Sequence, residues 1–210
     1  MYCEKSSRKK LRWILFVISI AVLGYLIQYI FMAQKTQFDE IVYTNIGKLI
    51  TEPVTVVMKL FTILGSGVTI LSIVFAVLCA GYKKHAKYMT INLIVITALN
   101  QLLKFIFVRP RPEEYRLVQE TGYSFPSGHS MISMAFYGLI AYWIWKNVKK
   151  PILKWSLCIL LAVLIIGIGI SRIYLGVHYA SDVIAGFCFS IAYLVGFTHL
   201  MKGGKEGETN

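Results

Sequence analysis

Charge is scarce in this sequence. Asp, Glu, Lys and Arg make up 15% of the 210 residues, and only ten residues are acidic, where a soluble globular chain carries about 25% charged residues. A chain this poor in charge is not disordered, and it is a poor fit to an ordinary soluble domain or a soluble nucleic-acid binder. Cysteine is equally sparse, with four in all. Cys79, Cys158 and Cys188 fall inside apolar stretches and Cys3 sits beside a basic N-terminus, so no pair is placed for a disulfide framework or a zinc site. They read as small apolar residues with an inert thiol. Internal repeats, low-complexity tracts and linkers are absent, and so is the ten-residue alternation of a membrane barrel.

What the sequence has in excess is apolar residues: 57% are hydrophobic and the mean hydropathy is +0.64. They gather in six blocks, at 11–32, 58–80, 88–108, 127–145, 152–170 and 183–201. Each is near the roughly 20 residues that cross a bilayer as a helix, the fourth only if the turn around Pro126 to His129 is counted. A bilayer offers the backbone no water, so spans must be helices or closed barrels. The expected architecture is all-α, a polytopic membrane protein with a six-helix transmembrane bundle, and residues 1–210 form one domain. The first block is longer than a signal-peptide core and lacks a small-x-small cleavage site, which makes it a retained anchor. Between the first two blocks, Gln34 to Val57 carries Phe38, Ile41, Val42, Ile46, Leu49 and Ile50 at helical spacing. That pattern predicts a short amphipathic helix at the interface.

Lysine and arginine divide unequally between the two sides of such a bundle. Fourteen fall on the side of the termini, including Lys5, Arg8, Lys9, Lys10, Arg12, Lys83, Lys84, Lys87, Lys202 and Lys205, and eight on the other. With three and seven acids respectively, the sides carry net +11 and +1. The positive-inside rule then puts both termini in the cytoplasm.

The unusual polar residues collect on the opposite, outer side. Lys104, Arg111, His129, Arg172, His178 and Asp182 all stand at or just beyond the ends of apolar blocks. Ionisable groups at membrane depth are costly and mark function by default. Lys104 or Arg111 alone would read as a snorkelling interface anchor; the set reads as one anion pocket. Lys104 and Arg111 are seven residues apart, about two turns on one face if the helix holds that far, and can grip phosphate oxygens as a point charge and a planar fork. Arg109 falls on a different face, for structure or for a second phosphate. Ser127 and Gly128 open the fourth block and offer free backbone N–H groups, although Ser127 alone is as readily a plain helix cap. His129 sits in the first helical turn, where a bound anion would justify an imidazole. His178 and Asp182, spaced i and i+4, are expected on one face of the sixth helix, the carboxylate holding one imidazole nitrogen and freeing the other. Taken alone, that pair could also simply lock a helix end.

Lys104-x6-Arg111-Pro112, Pro126-Ser127-Gly128-His129 and Ser171-Arg172-x5-His178-x3-Asp182 together resemble the three-part signature of the type 2 phosphatidic acid phosphatase superfamily. The likeness is to its bacterial membrane branch, the phosphatidylglycerophosphatase B and undecaprenyl pyrophosphate phosphatase types. The resemblance implies a lipid phosphatase without metal or cofactor, acting through a phosphohistidine on a membrane lipid. It assigns His178 as nucleophile, Asp182 as its orienting partner and His129 as acid and base. Lys104, Arg111, Arg172 and the backbone near Ser127 and Gly128 hold the phosphate. An anionic-lipid transporter or flippase would use the same cations without hydrolysis, but binding alone has no use for two imidazoles and a paired carboxylate. The vanadate-dependent haloperoxidases share the motifs but are soluble. Neither the particular lipid nor the oligomeric state is legible in the residues.

Overall fold

In the computed structural model, the backbone is described for residues 2–206 and the side chains for residues 10 and 12–201. The side chains of Cys3, Lys5, Arg8, Lys9, Lys202 and Lys205 lie outside the described residues. Among the described residues, eight helices follow one another: α1 (Tyr2–Met32), α2 (Gln37–Gly47), α3 (Glu52–Leu64), α4 (Gly67–Cys79), α5 (Lys83–Phe107), α6 (Gly128–Asn147), α7 (Pro151–Tyr174) and α8 (Ala180–Glu206). Among the described residues there is no strand.

Among the described residues, four helices are long and apolar enough to cross a membrane: α1 from Arg12, α5, α7 and α8 to Met201. The expected second span, 58–80, is not one helix. It starts earlier, at Glu52, and breaks into α3 and α4 with a bend of 49°. The break has a local cause. Ser66 caps α4, its hydroxyl accepting from the Thr69 N–H at 3.3 Å, which satisfies one of the donors a helix start leaves open. At Gly65, where α3 ends, a Cβ would lie 2.6 Å from the Ile168 side chain of α7. Counting the bent pair as one span gives five rather than the expected six.

The remaining candidate, α6, does not meet the same test of length and hydropathy. Its composition has a physical reason. α6 packs against α5, α7 and α8, and Ser130, Met131, Ser133, Ala135, Phe136, Tyr137 and Leu139 are all buried. A helix wrapped by protein has no need of a lipid-facing coat, and its serines find partners inside the bundle: Ser130 on Ser127, Ser133 on the His129 carbonyl and, from α8, Ser190 on the Met131 carbonyl. One core cluster joins Ile70 of α4, Met89 of α5, Phe136 and Leu139 of α6 and Ile168 of α7.

The short helix expected in 34–57 is α2, capped by the Thr36 hydroxyl, which accepts from the Asp39 N–H at 2.9 Å. It packs on α7 and α8. Residues 108–127 form an irregular segment between α5 and α6.

Candidate active site

Two expectations about how the polar residues meet need correction. Lys104 and Arg111 do not share a helical face, because α5 ends at Phe107 and Val108 turns the chain with φ 46°. Pro110 and Pro112 then forbid helix, and Arg111 reaches the site from the loop. Likewise His178 and Asp182 are not both on the last helix. α8 begins at Ala180, so His178 belongs to the turn after α7, its N–H directed at the Arg172 carbonyl at 3.3 Å. Asp182 lies in the first turn of α8 and folds back, its Oδ2 accepting from the Tyr179 N–H at 2.9 Å. That is the reciprocal half of a capping box, and it turns the carboxylate toward His178.

The hydrogen bonds around His178 fix its tautomer. Arg111 Nη1 lies 3.0 Å from His178 Nε2. A guanidinium can only donate, so Nε2 carries the lone pair and Nδ1 the proton. Nδ1 faces Asp182 Oδ2 at 3.4 Å and the Ser124 hydroxyl at 3.3 Å, and that hydroxyl is itself bonded to Asp182 Oδ2. Burial pushes the His178 pKa down to about 3, although the bond and charge of Asp182 pull it up. At neutral pH the imidazole is uncharged, with its lone pair facing the Arg111 guanidinium. A neutral imidazole with a free lone pair is able to act as a nucleophile.

A cavity of about 640 Å³ opens beside it, lined by Lys104, Arg111, Glu120, Gly128, His129 and His178 and walled on the apolar side by Leu71, Leu93, Phe105 and Ile132. The size suits an organic ligand. Lys104 bonds the Tyr123 carbonyl at its rim. Arg111 is anchored through Nε to the Gly122 carbonyl at 3.0 Å and through Nη2 to the Thr121 carbonyl at 3.0 Å, so its fork is oriented before any ligand arrives.

The other expected residues are placed less directly. Ser127 is buried outside the cavity lining, at the cap position of α6; its side chain makes no cap bond and takes the Ser130 hydroxyl at 3.0 Å. Arg172 is 2% exposed and bonds the Thr62 hydroxyl and the Glu120 carboxylate, its Nε without a partner. Burial raises the Glu120 pKa, but the charge and hydrogen bond of Arg172 outweigh it and hold the carboxyl below its usual value. A carboxylate therefore sits on the arginine that the sequence motif led one to expect on a phosphate.

Arg109 is the largest surprise of position. Its side chain is fully buried, bonded at 2.7 Å to Asp39 of α2 and at 2.5 Å to Asp182, with Ser181 Oγ at 2.8 Å and the Gln34 carbonyl at 2.8 Å. Both carboxylates are fully buried as well. Leaving one charge of such a group unpaired costs about 3–5 kcal/mol. Of the two roles the sequence left open for Arg109, it is structure that its contacts serve. Among the described residues, no group of three or more His, Cys, Asp or Glu is placed to hold a metal ion.

A sequence model of the PAP2 superfamily matches residues 85–205, a stretch that holds all three motifs and every helix that carries them. The chain belongs to the PAP2 superfamily. Its similarity to a solved member extends further along the chain. The crystal structure of a transmembrane PAP2-type phosphatidylglycerolphosphate phosphatase from Bacillus subtilis aligns over 91% of this chain and 96% of that one, with a TM-score of 0.75 and 27% identity. Aquifex aeolicus LpxE shares the fold, with a TM-score of 0.67 over 80% of this chain and 98% of its own, at 22% identity. By sequence, the chain is 43% identical over 111 residues to phosphatidylglycerophosphatase B of Bacillus subtilis, covering 51% of this chain and 52% of that protein. It is 32% identical over 111 residues to the undecaprenyl-diphosphatase of Sulfolobus acidocaldarius, covering 50% of each. The chain thus spans about half the length of the curated relatives it matches. As a PAP2 protein with several apolar helices, it is a multi-pass membrane protein.

Sequence reasoning missed four residues of this PAP2 site: Asp39, Glu120, Ser124 and Ser181. Only Asp39 left a trace in the pattern. It shares a helical face with Val42, Tyr43 and Ile46, the apolar residues that α2 turns toward the bundle.

Proposed function

We propose that this protein is an integral-membrane lipid phosphatase that removes the terminal phosphate of a lipid phosphate or pyrophosphate by way of a phosphohistidine. The observation that carries the reading is the His178 geometry: Nδ1 held by Asp182, Nε2 unprotonated and turned to a guanidinium that bonds phosphate as readily as imidazole. When a lipid phosphate enters, Arg111 shifts its Nη1 donor from the ring to a phosphate oxygen and uncovers the lone pair. Nε2 then attacks phosphorus in line as the bond to the leaving oxygen breaks, and Asp182 stabilises the ring's new positive charge. His129, across the cavity, gives a proton to the leaving oxygen and later takes one from the water that cleaves the P–N bond. Lys104 and Arg172 share the phosphate charge with Arg111. Phosphoryl transfer asks mostly for such positioning and charge stabilisation. The apolar wall of Leu71, Leu93 and Phe105 leaves a place for the lipid chain.

Purified protein in detergent with EDTA should release phosphate from at least one of undecaprenyl pyrophosphate, phosphatidylglycerol phosphate, phosphatidic acid and diacylglycerol pyrophosphate. Vanadate, a transition-state-like anion, should inhibit it. Lipid movement across vesicles without phosphate release would instead establish a transporter. EDTA-abolished activity restored by Mg²⁺ would establish a different chemistry.

The excess of cations at the end of the bundle opposite the cavity supports an extracytoplasmic site in the cell membrane. In a cysteine-free background, Glu113→Cys on the exposed surface of the 108–127 loop should react with an impermeant thiol reagent in intact cells, and Lys83→Cys should not. The reverse labelling would turn the site to the cytoplasm.

A further inference from the structure

Catalytic arrangements are usually completed by residues near the reacting atoms, but one buried partner here comes from the short helix α2. We infer that Asp39 of α2 is a positioning residue for the reaction, holding the first turn of α8 and the Arg109 charge so that Asp182 faces His178 as an anion of fixed orientation. The inference rests on the phosphohistidine reading above and extends it to a helix outside the three motifs.

Three contacts carry it. Asp39 Oδ1 accepts from the Ser181 backbone N–H at 2.8 Å, one of the donors that the start of α8 leaves open. Asp39 Oδ2 accepts from the Ser181 hydroxyl and from Arg109 Nη2, both at 2.7 Å. Arg109 in turn holds Asp182 Oδ1. The residue beside the catalytic carboxylate and the cation bonded to it are therefore pinned by the same side chain. Asp182 has both oxygens engaged, Oδ1 by Arg109 and Oδ2 by Ser124, Tyr179 N–H and the imidazole; it has no freedom to rotate.

Charge matters as much as geometry. Asp39, Arg109 and Asp182 together carry net −1 in a site screened from water. Were Arg109 paired with Asp182 alone, its full charge would cancel the one carboxylate that faces His178. Asp39 takes up that positive charge and leaves Asp182 able to stabilise the imidazolium that forms with the P–N bond. This help is needed only once the ring becomes cationic, so its loss lowers kcat more than it raises KM. The cations that hold phosphate, Lys104 and Arg111, do not touch Asp39.

The test is a double-mutant cycle on phosphate release from the best lipid of the panel. Asp39→Asn keeps the shape and removes the charge; it should lower kcat about 10- to 100-fold, the range for partners that orient a functional group from behind, with KM near wild type. Arg109→Gln leaves two buried carboxylates together and should be worse. Adding Asp39→Asn to Arg109→Gln restores net −1 and should raise kcat above that of Arg109→Gln alone. A residue that merely supported the fold would make the double variant no better than the worse single one, and that outcome overturns the inference, as does Asp39→Asn with wild-type kcat. If Asp39→Asn cannot be extracted folded, Ser181→Ala removes the two hydroxyl bonds, to Asp39 and from Arg109, and no charge. It should then lower kcat with KM unchanged, and an unaltered kcat would overturn the inference. Absence of phosphate release by the wild type from every lipid overturns the phosphatase reading itself; release that ignores these substitutions overturns only the role of Asp39.

Discussion

His178→Ala is expected to release no phosphate from any lipid and to form no phosphoenzyme, while still binding vanadate or phosphate in the cavity. The loss should approach the ~10⁶-fold that follows removal of a nucleophile in a hydrolase that forms a covalent intermediate. The three residues of the relay should separate by role. Asp182 makes no bond to phosphorus, so Asp182→Asn should cost less, about 10⁴-fold, the scale on which a wrong tautomer costs a catalytic imidazole. His129 should depend on the leaving group. A lipid alkoxide needs a proton as it departs, whereas phosphate leaving from a pyrophosphate needs it far less. His129→Ala should therefore lose about 10²–10⁴-fold on monoesters and distinctly less on diphosphates. Single-turnover trapping of labelled enzyme, with a monoester and a diphosphate lipid, measures all three. Labelled protein in His178→Ala, or none in active wild type quenched without acid, would end the covalent mechanism.

That these residues gather in one place was legible because they stand in short spaced motifs at the ends of apolar blocks. The way they meet was not. The i, i+4 spacing of His178 and Asp182 suggests one helical face, yet the contact is made by a turn and a helix cap, since α8 starts only at Ala180. The Lys104 to Arg111 spacing misleads in the same way, because the prolines end α5 before the second cation. The second span was legible as an apolar block, but its break was not. Gly65, Ser66 and Gly67 look like small residues for close helix packing. At Gly65 that holds, with Ile168 in the place of a Cβ, while Gly67 has open space around it and Ser66 is a cap. α6 was hard to delimit for the opposite reason, being a central helix much of whose surface meets protein.

The partners of Arg109 show where pattern reading ends. Asp39 is 70 residues away and Asp182 is 73, and no local spacing joins a carboxylate on α2 to an arginine in a loop. Only the placement of Asp39 on the apolar face of α2 hinted that something buried must neutralise it. Glu120 and Ser124 gave no hint, since both lie in the irregular segment, where periodicity says nothing about direction.

Gly176→Ala is expected to lower kcat/KM about 10²-fold, although glycine has no chemistry to offer. Gly176 sits in the turn between α7 and His178 with φ 75°, and a Cβ there would lie 1.9 Å from the Tyr115 carbonyl oxygen. That carbonyl cannot move aside cheaply. It accepts the Tyr43 hydroxyl at 2.7 Å, and the Tyr43 and Tyr115 rings are stacked 4.2 Å apart. On the other side, Gly176 N–H donates to Ile173 at 3.0 Å, and Leu175 accepts from the Leu117 N–H at 3.1 Å. Both walls of the contact are backbone held by hydrogen bonds, so relief must come from shifting the turn that carries His178. A displacement of about 1 Å at a reacting group costs about 10²-fold, and the left-handed conformation of a non-glycine residue adds about 1–3 kcal/mol of strain. Gly81→Ala separates the two effects. Gly81 has φ 84° but open space where a Cβ would go, and it stands at the other end of the bundle. It should lower the thermal midpoint with kcat/KM intact, whereas Gly176→Ala should lower both. Equal effects of the two substitutions on kcat/KM would mean that the turn does not set the position of His178.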